Sequence, residues 1–346
     1  MLTPIEEIKA KLDIIEVLSS YIKLSKAGTN FRAVCPFHQE KSPSFMASPA
    51  RQIWHCFGCN EGGDIFKFVM KIEGVEFGDA LRNLAHRAGV ILKREDPQVR
   101  TERGILSEIC RSASEYFQKN LEQNAEVMAY LKKRGLKNET IEEFKIGYST
   151  DAWDGLLKFL SAKNFQAQDI EKAGLAVRSE RSNNGYFDRF RDRIMFPIFN
   201  SSGDIIGFGG RIFHDKENEA KYVNSPQTLI YDKSKVLYGF DKAKMEIRKS
   251  NFTILVEGYM DLIMSHQAGV KNTVAVSGTA MTRDHLNILK RLSDNIYTCF
   301  DMDSAGDKAT KRAIDMALAD EFNVKVVTVP SGKDPADFVL EHPDKW

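Results

Sequence analysis

Three cysteines and one histidine confine what the front of this chain can fold into. Cys35 and His38 are two residues apart, as are Cys56 and Cys59, and 17 residues separate the pairs. A two-residue gap lets a tight turn aim both donors at one ion, and two such turns at the ends of a hairpin close a tetrahedron. The stretches SFMAS and QIWHC between them supply the hairpin strands. The spacing therefore predicts one structural Zn²⁺ in a small ribbon domain. Four protein ligands leave no position for substrate, so this ion holds structure. His55 stands beside Cys56 as an alternative ligand. Neighbouring strand residues point to opposite faces, so only one of the two can meet the metal.

The remaining cysteines, Cys110 and Cys299, stand alone in apolar surroundings. That usage predicts a reducing compartment without disulfides, and so a cytoplasmic protein. With 346 residues, 42% of them hydrophobic, the chain can form two or three cores. No apolar run has the length to cross a bilayer, and MLTPIEEIKAKLDIIEVL reads as an amphipathic helix with acids rather than a signal peptide. No membrane partner is expected. The formal net charge of +1 identifies no partner, since a basic surface and an acidic metal site cancel in the sum.

Shifts in pattern divide the chain into an α/β and α+β multidomain arrangement. Residues 1–92 hold the ribbon and two helical patterns, IFKFVMKIEG and FGDALRNLAHRAGV. KREDPQVRTERG, residues 93–104, is charged and broken by Pro97, and reads as a linker. Residues 105–250 are first helical and then rich in short strands and Gly-rich turns, including GFGGR, which predicts a mixed α+β part. From 251 to 346, buried strands alternate with helices (FTILV, TVAVSG, NIYTCF, VKVVTVP), which predicts a parallel sheet with flanking helices. Functional groups gather beyond the carboxyl ends of such strands.

Acids stand at those ends. FTILV runs into Glu257, with Asp261 at the start of the next helix; NIYTCF leads to Asp301 and Asp303; VKVVTVP leads to Asp334. Clustered carboxylates repel unless divalent cations neutralise them, and oxygen-only ligands favour Mg²⁺ or Mn²⁺ over zinc. Taken singly, each acid also fits a helix cap.

Cations occupy two other places. Arg189, Arg191 and Arg193 alternate, so in a strand all three share one face suited to phosphates. Asp188 and Asp192 offer a second reading of that row, as surface ion pairs. Arg211, Lys221 and Tyr222 add positive charge and an aromatic platform. In the ribbon, Phe31, Phe37, Phe45, Trp54 and Phe57 are interspersed with Arg32, Lys41 and Arg51. Arg32, Lys41, Arg51 and Trp54 are candidate contacts to single-stranded DNA, with stacking on bases and cations along phosphates. The aromatics serve equally well as the ribbon's own core.

EGYMD (257–261), SGTAMT (277–282) and DMDSAGDKA (301–309) resemble the Toprim domain found in topoisomerases, some nucleases and bacterial primases. Joined to the ribbon, and with YFDRFRDRIMFPI (186–198), GFGGR (207–211) and KYVNSPQT (221–228), they resemble the DnaG family of bacterial primases over nearly the whole chain. The resemblance implies RNA primer synthesis from ribonucleoside triphosphates on a single-stranded DNA template. It also implies metal binding by Glu257, Asp301 and Asp303, supported by Asp261 and Asp334. Arg189, Arg191, Arg193, Arg211, Lys221 and Tyr222 would line the template and nucleotide groove. One departure is Ala336, where the family usually carries an acid; Asp337 follows it. The family continues into a helical bundle and a domain that docks on the replicative helicase, and a chain ending at Trp346 is expected to lack both and to bind the helicase weakly. Two other readings stand beside this one: a Toprim-type nuclease or topoisomerase, and a single-strand-binding protein without catalysis.

Overall fold

The computed structural model describes residues 3–38, 40–75, 77–90, 92, 97–179, 185–215, 219–278, 280–300, 306–329 and 334–346. They form two compact units, one of residues 1–96 with 244–252 and 287–295, the other of 97–243 with 253–286 and 296–346. Among the described residues no helix is long and apolar enough to cross a membrane.

In the first unit, helix α1 (Pro4–Lys11) opens on a capping box: Thr3 and Glu6 satisfy each other's backbone N–H, and Pro4 fills the first turn. The single opening helix expected from sequence is two. Asp13 divides it, because its carboxylate accepts from Ile15 N and starts α2 (Ile14–Ser19). Five strands follow in sequential order, β1 (Ser25–Ala27), β2 (Asn30–Ala33), β3 (Phe45–Ser48), β4 (Ile53–Cys56) and β5 (Gly62–Gly63). Period-two alternation buries Ala33, Phe45, Ala47, Trp54 and Cys56 on one face. Helices α3 (Ile65–Glu73) and α4 (Phe77–Ala88) contribute Phe66, Phe68, Val69, Ile72 and Leu84 to the same core.

Trp54 is the centre of this core. It is 1% exposed and stacks on Phe45 at 5.2 Å, with Phe37 and Phe68 around it. Its Nε1 donates to Asp64 O at 3.1 Å, and the Asp64 carboxylate caps α3 through Lys67 N. The expectation that Trp54 contacts DNA is thus corrected: a strand residue on the inner face cannot also reach a ligand outside. The opposite face carries Arg32, Met46 and His55 in register across β2, β3 and β4. Segment 244–252 joins this unit through a buried carboxylate, Glu73, which binds Lys244 Nζ at 3.1 Å, Asn83 Nδ2 at 3.1 Å and the Tyr21 hydroxyl.

The second unit begins with α5 (Pro97–Glu122), one helix of 26 residues. The expected linker is therefore shorter than 93–104: Pro97 opens a helix at its first turn, where it costs no hydrogen bond, and residues 93–96 lie outside the described set. Next come α6 (Ala125–Lys133), α7 (Asn138–Glu143), β6 (Gly147–Ser149), α8 (Gly155–Ala162), α9 (Ala167–Lys172), β7 (Ala176–Arg178) and β8 (Tyr186–Asp188). Strands β9 (Arg193–Phe199), β10 (Ile205–Ile212) and β11 (Tyr222–Asn224) then complete an antiparallel sheet of order β11-β10-β9-β6. GFGGR, expected as a turn, lies inside β10. Its glycines answer to packing: a Cβ at Gly209 would stand 2.3 Å from the Tyr259 ring.

The last part adds α10 (Phe240–Ser250), β12 (Thr253–Val256), α11 (Tyr259–Gln267), β13 (Thr273–Ala275), α12 (Arg283–Lys290), β14 (Asn295–Thr298), α13 (Gly306–Ala319), β15 (Asn323–Val326) and α14 (Pro335–Glu341). The strand order is β13-β12-β14-β15, with β12 parallel to both neighbours, as the alternating pattern predicts. Tyr259 through His266 of α11 are all buried, which is why that helix carries no polar stripe.

Candidate functional site

Among the described residues, one group of side chains can hold a metal ion: Cys35, His38, Cys56 and Cys59, whose donor atoms all lie within 4.8 Å of one another. The Cys35 and Cys59 sulfurs are 3.9 Å apart, and Cys56 Sγ is 3.7 Å from His38 Nδ1. A tetrahedron with Zn–S bonds of ~2.3 Å has edges of about 3.8 Å, so the donor set fits zinc. His38 presents Nδ1, while its Nε2 lies 3.2 Å from Glu40. Glu40 also accepts from Cys35 N and Ser44 N, so one carboxylate fixes the histidine and both of its loop neighbours. Gly58 is required here, since a Cβ would stand 2.4 Å from His38 Nε2. His55 is outside the group, with its Nε2 3.2 Å from Asn60 Oδ1, which settles the ligand in favour of Cys56.

Burial opposes ionisation of Cys56, but hydrogen bonds from the Ser44 hydroxyl and the Cys59 and Gly58 amides outweigh it and hold the thiol below its usual range. Burial pushes Cys35 up. A bound dication favours the thiolate at both. Around the centre, Arg32, Lys41 and Arg51 are exposed, and Phe57 is 74% exposed beside His55. Sequence reasoning grouped Phe57 with the core aromatics as readily as with ligand contacts; the turn after Cys56 turns it outward.

At the end of β12, Glu257 is half-buried and its carbonyl accepts from Ser277 N at 2.9 Å. Asp261 is 8% exposed, and backbone groups occupy both its oxygens: Oδ2 accepts from Gly258 N at 3.0 Å and Oδ1 from Ala336 N at 3.1 Å. It ties the EGYMD turn to the start of α14. Asp334 caps α14, accepting from Asp337 N at 2.7 Å, and Asp337 lies 3.5 Å from Arg134. For Asp334 the capping alternative is thus the observed geometry. Ala336 is 3% exposed, so its side chain packs in the core. Asp301 and Asp303 lie outside the described residues.

The arginine row is corrected by the structure. Arg189, Arg191 and Arg193 do not share a strand, because the chain leaves β8 at Asp188, turns through Asp192 at φ +51° and enters β9 at Arg193. Arg193 is 5% exposed, bonded to the Ala220 carbonyl at 3.0 Å and paired with Glu219 at 3.3 Å. Arg189 is partly buried, and desolvation lowers its pKa. The Arg191 guanidinium lies over the Trp153 ring at 3.9 Å and near Phe187 at 5.2 Å. Trp153 is 63% exposed and was missed from sequence, where a lone indole in DAWDG carries no periodic signal. Both aspartates are buried, 3% and 2% exposed, rather than on the surface as the ion-pair reading has them. Asp188 accepts from Leu156 N and Leu157 N at the start of α8, and burial pushes its pKa up to about 6. Asp192 accepts from the Tyr148 hydroxyl at 2.8 Å and faces His214 at 3.1 Å.

Arg211 and Tyr222 are directly opposite each other across β10 and β11, with exposed Lys221 adjoining. The Arg211 guanidinium donates to the Tyr130 hydroxyl. Tyr222 is 39% exposed and its ring lies 6.1 Å from that of Tyr259, two residues beyond Glu257.

Three family models match in chain order: the CHC2 zinc finger over 2–100, the DNA primase catalytic core N-terminal domain over 116–244, and a Toprim-like domain over 254–339. A DNA primase of Halalkalibacterium halodurans is 40% identical over 344 residues, covering 98% of this chain and 57% of its own length. The chain thus spans less than two thirds of that relative. The crystal structure of the zinc-binding and RNA polymerase domains of the Aquifex aeolicus primase is 33% identical, covers 100% of this chain and 84% of its own, and has a TM-score of 0.66. A DnaG primase catalytic domain bound to single-stranded DNA is 35% identical over 70% of this chain and 78% of its own, with a TM-score of 0.63.

Proposed function

Because the chain belongs to the DnaG-type DNA primases, we propose that it is a DNA-directed RNA polymerase that joins ribonucleoside triphosphates into short primers on a single-stranded DNA template. The observation that carries the reading is the approach of Tyr222, beside Arg211 and Lys221, to Tyr259 next to the strand-end acid Glu257. Cations and an aromatic platform for nucleotides then adjoin the turn that carries Glu257.

Glu257, Asp301 and Asp303 would hold the metal in this reading, and donors that are all oxygen suit Mg²⁺ or Mn²⁺ rather than zinc. Bound there, such ions supply activation of a 3′ hydroxyl and stabilisation of departing pyrophosphate. Arg211 and Lys221 bind phosphate oxygens, and Tyr222 offers a face for a base or sugar. Asp261 and Asp334 act at one remove, through the backbone they hold. Arg191, over the Trp153 ring, is the member of the arginine row that this reading assigns to a template strand, while Arg193 supports β9 from within.

The ribbon handles template with its outer face. Arg32 and His55 on the strands, Phe57 beside them, and Lys41 and Arg51 in the loops are the contacts in this reading, and Trp54 is excluded. Zinc fixes the turns that carry Phe37 and Phe57. The domain divisions 1–92, 105–250 and 251–346 correspond to template handling, nucleotide binding and metal binding. A replication template places this work in the cytoplasm.

The test is incubation of the protein with single-stranded DNA, four ribonucleotides and Mg²⁺, followed by separation of the RNA by length. Short RNA is expected from the parent and none from Asp301→Ala with Asp303→Ala. Equal product from both would remove the metal assignment, and cleavage of the supplied DNA without RNA would point to the Toprim nuclease alternative.

A further inference from the structure

Tyr259 is 2% exposed, and its hydroxyl donates to Asn224 Oδ1 at 2.8 Å. Asn224 Nδ2 donates in turn to the Ser277 carbonyl at 2.8 Å, and Ser277 N donates to the Glu257 carbonyl at 2.9 Å. One amide therefore serves as acceptor and donor in a run of hydrogen bonds that leaves the EGYMD turn at Tyr259 and returns to it at Glu257. The route passes through β11, the strand of Tyr222.

The surroundings leave this run little freedom. The Tyr259 ring stacks on Phe196 of β9 at 5.0 Å and 8°, meets the edge of Tyr238 at 4.6 Å, and lies against Gly209 of β10, where no Cβ fits. Phe196, Gly209 and Asn224 are successive partners across the sheet, so three strands together form the seat for one phenol. Ser277 has φ +49°, a left-handed conformation that a serine adopts at a cost. The Asn224 amide and Glu257 carbonyl grip it on both sides.

We propose that Asn224 is a positioning residue for the divalent-metal site: it clamps Tyr259 and Ser277 into one unit, and through their backbones sets the direction of the Glu257 carboxylate. This rests on the primase reading above for the chemistry, but not for the metal affinity. A buried tyrosine needs only some acceptor, and a carbonyl would suffice. An amide is needed where one side chain must accept from the phenol and donate to the Ser277 carbonyl at once.

The experiment compares the zinc-loaded parent with Asn224→Asp, Asn224→Leu and Tyr259→Phe. Mn²⁺ binding is measured by electron paramagnetic resonance, thermal melting by circular dichroism, and dinucleotide synthesis by kcat and KM. Asp keeps the acceptor for Tyr259 but turns an oxygen toward the Ser277 carbonyl, so it should act like Leu. Both are expected to weaken Mn²⁺ binding about tenfold or more and to lower kcat with KM for nucleotide little changed, a tenfold change being ~1.4 kcal/mol, the size of one net hydrogen bond. Tyr259→Phe, which keeps the ring and its packing, should weaken Mn²⁺ binding about threefold to tenfold, and it decides the matter if the Asn224 variants unfold. Parent-like Mn²⁺ affinity in Tyr259→Phe, or in any folded Asn224 variant, would reduce the clamp to a packing role and overturn the proposal. Weakened Mn²⁺ binding in a protein whose parent makes no RNA would sustain the clamp and defeat the primase reading instead.

Discussion

Replacing Trp54 by Phe separates a core residue from a DNA contact, and Phe57→Ala runs the comparison in reverse. Trp54 is 1% exposed, and its Nε1 donates to Asp64 O at 3.1 Å. The smaller ring forfeits roughly 30–50 Å² of buried apolar area, or about 1 kcal/mol at ~25 cal/mol/Å². The space left between Phe45, Phe37 and Phe68 adds up to ~1 kcal/mol, and the lost hydrogen bond about 1 kcal/mol more. The sum, ~2–3 kcal/mol, should lower the ribbon's melting temperature by roughly 10–20 °C for a domain of this size. Phe57 at 74% exposure contributes little to folding, so its removal should leave melting within a degree or two. A stacked base lost with it is worth ~1–3 kcal/mol, a roughly 5-fold to 150-fold weaker hold on single-stranded DNA. Melting is followed by near-ultraviolet circular dichroism together with zinc release, and DNA binding by fluorescence anisotropy well below either transition. If Trp54→Phe weakened DNA binding tenfold while melting like the parent, the assignment of the inner face would be wrong.

Chelation of zinc should unfold the ribbon, because the four ligands sit on the turns that hold its hairpin, and should leave the second unit folded; retained ribbon signal after verified metal loss would contradict this. Gly209→Ala places a Cβ 2.3 Å from a Tyr259 ring wedged between Phe196 and Tyr238, so a loss of ~1–3 kcal/mol in stability is expected from chemical denaturation. The hydrogen bond to Asp192 raises the His214 pKa above 6.5, against an opposing effect of desolvation and with help from the charges of Asp192 and Glu126. With the folded pKa above the unfolded one, the stabilisation is complete below pH 6.5 and disappears as pH rises through the folded value. Proton resonance titration of the His214 ring should return toward 6.5 in Asp192→Asn, and an unchanged titration would remove Asp192 as the cause.

The elements that were legible in the sequence are those with a strong local code. The ligand spacing of Cys35, His38, Cys56 and Cys59 fixes two turns by itself, and the order of strands and helices after residue 251 follows from buried runs bounded by helical patterns. What sequence could not give was sidedness. Arg189, Arg191 and Arg193 have the period of a strand, but the left-handed turn at Asp192 divides them, and no local pattern announces that Asp192 is drawn inward by Tyr148 and His214. Trp54 and Phe57 lie three residues apart in the same aromatic-rich run; the strand ends between them, and with it the alternation that would have told inside from outside. GFGGR reads as a turn because four of its positions are small or basic, yet its glycines are strand residues, and Gly209 lies under Tyr259, a partner about 50 positions away in sequence.

The acids of this chain show why residue type and position after a strand do not by themselves identify a metal ligand. Asp188, Asp261 and Asp334 all follow or approach strand ends, and each has oxygens committed to backbone N–H groups: Leu156 and Leu157, Gly258 and Ala336, and Asp337. A carboxylate held that way is already compensated by dipoles, and taking it as a ligand would require breaking bonds that shape the turn. Such residues shape the backbone around them. Asp261 makes the point most directly, since its two oxygens join the start of α11 to the start of α14 and thereby fix the distance between two motifs that are 75 residues apart. That is why the proposed metal site is built on Glu257, at the end of β12 and ahead of the helix rather than in its first turn, with Asp261 as a brace of the turn that carries it.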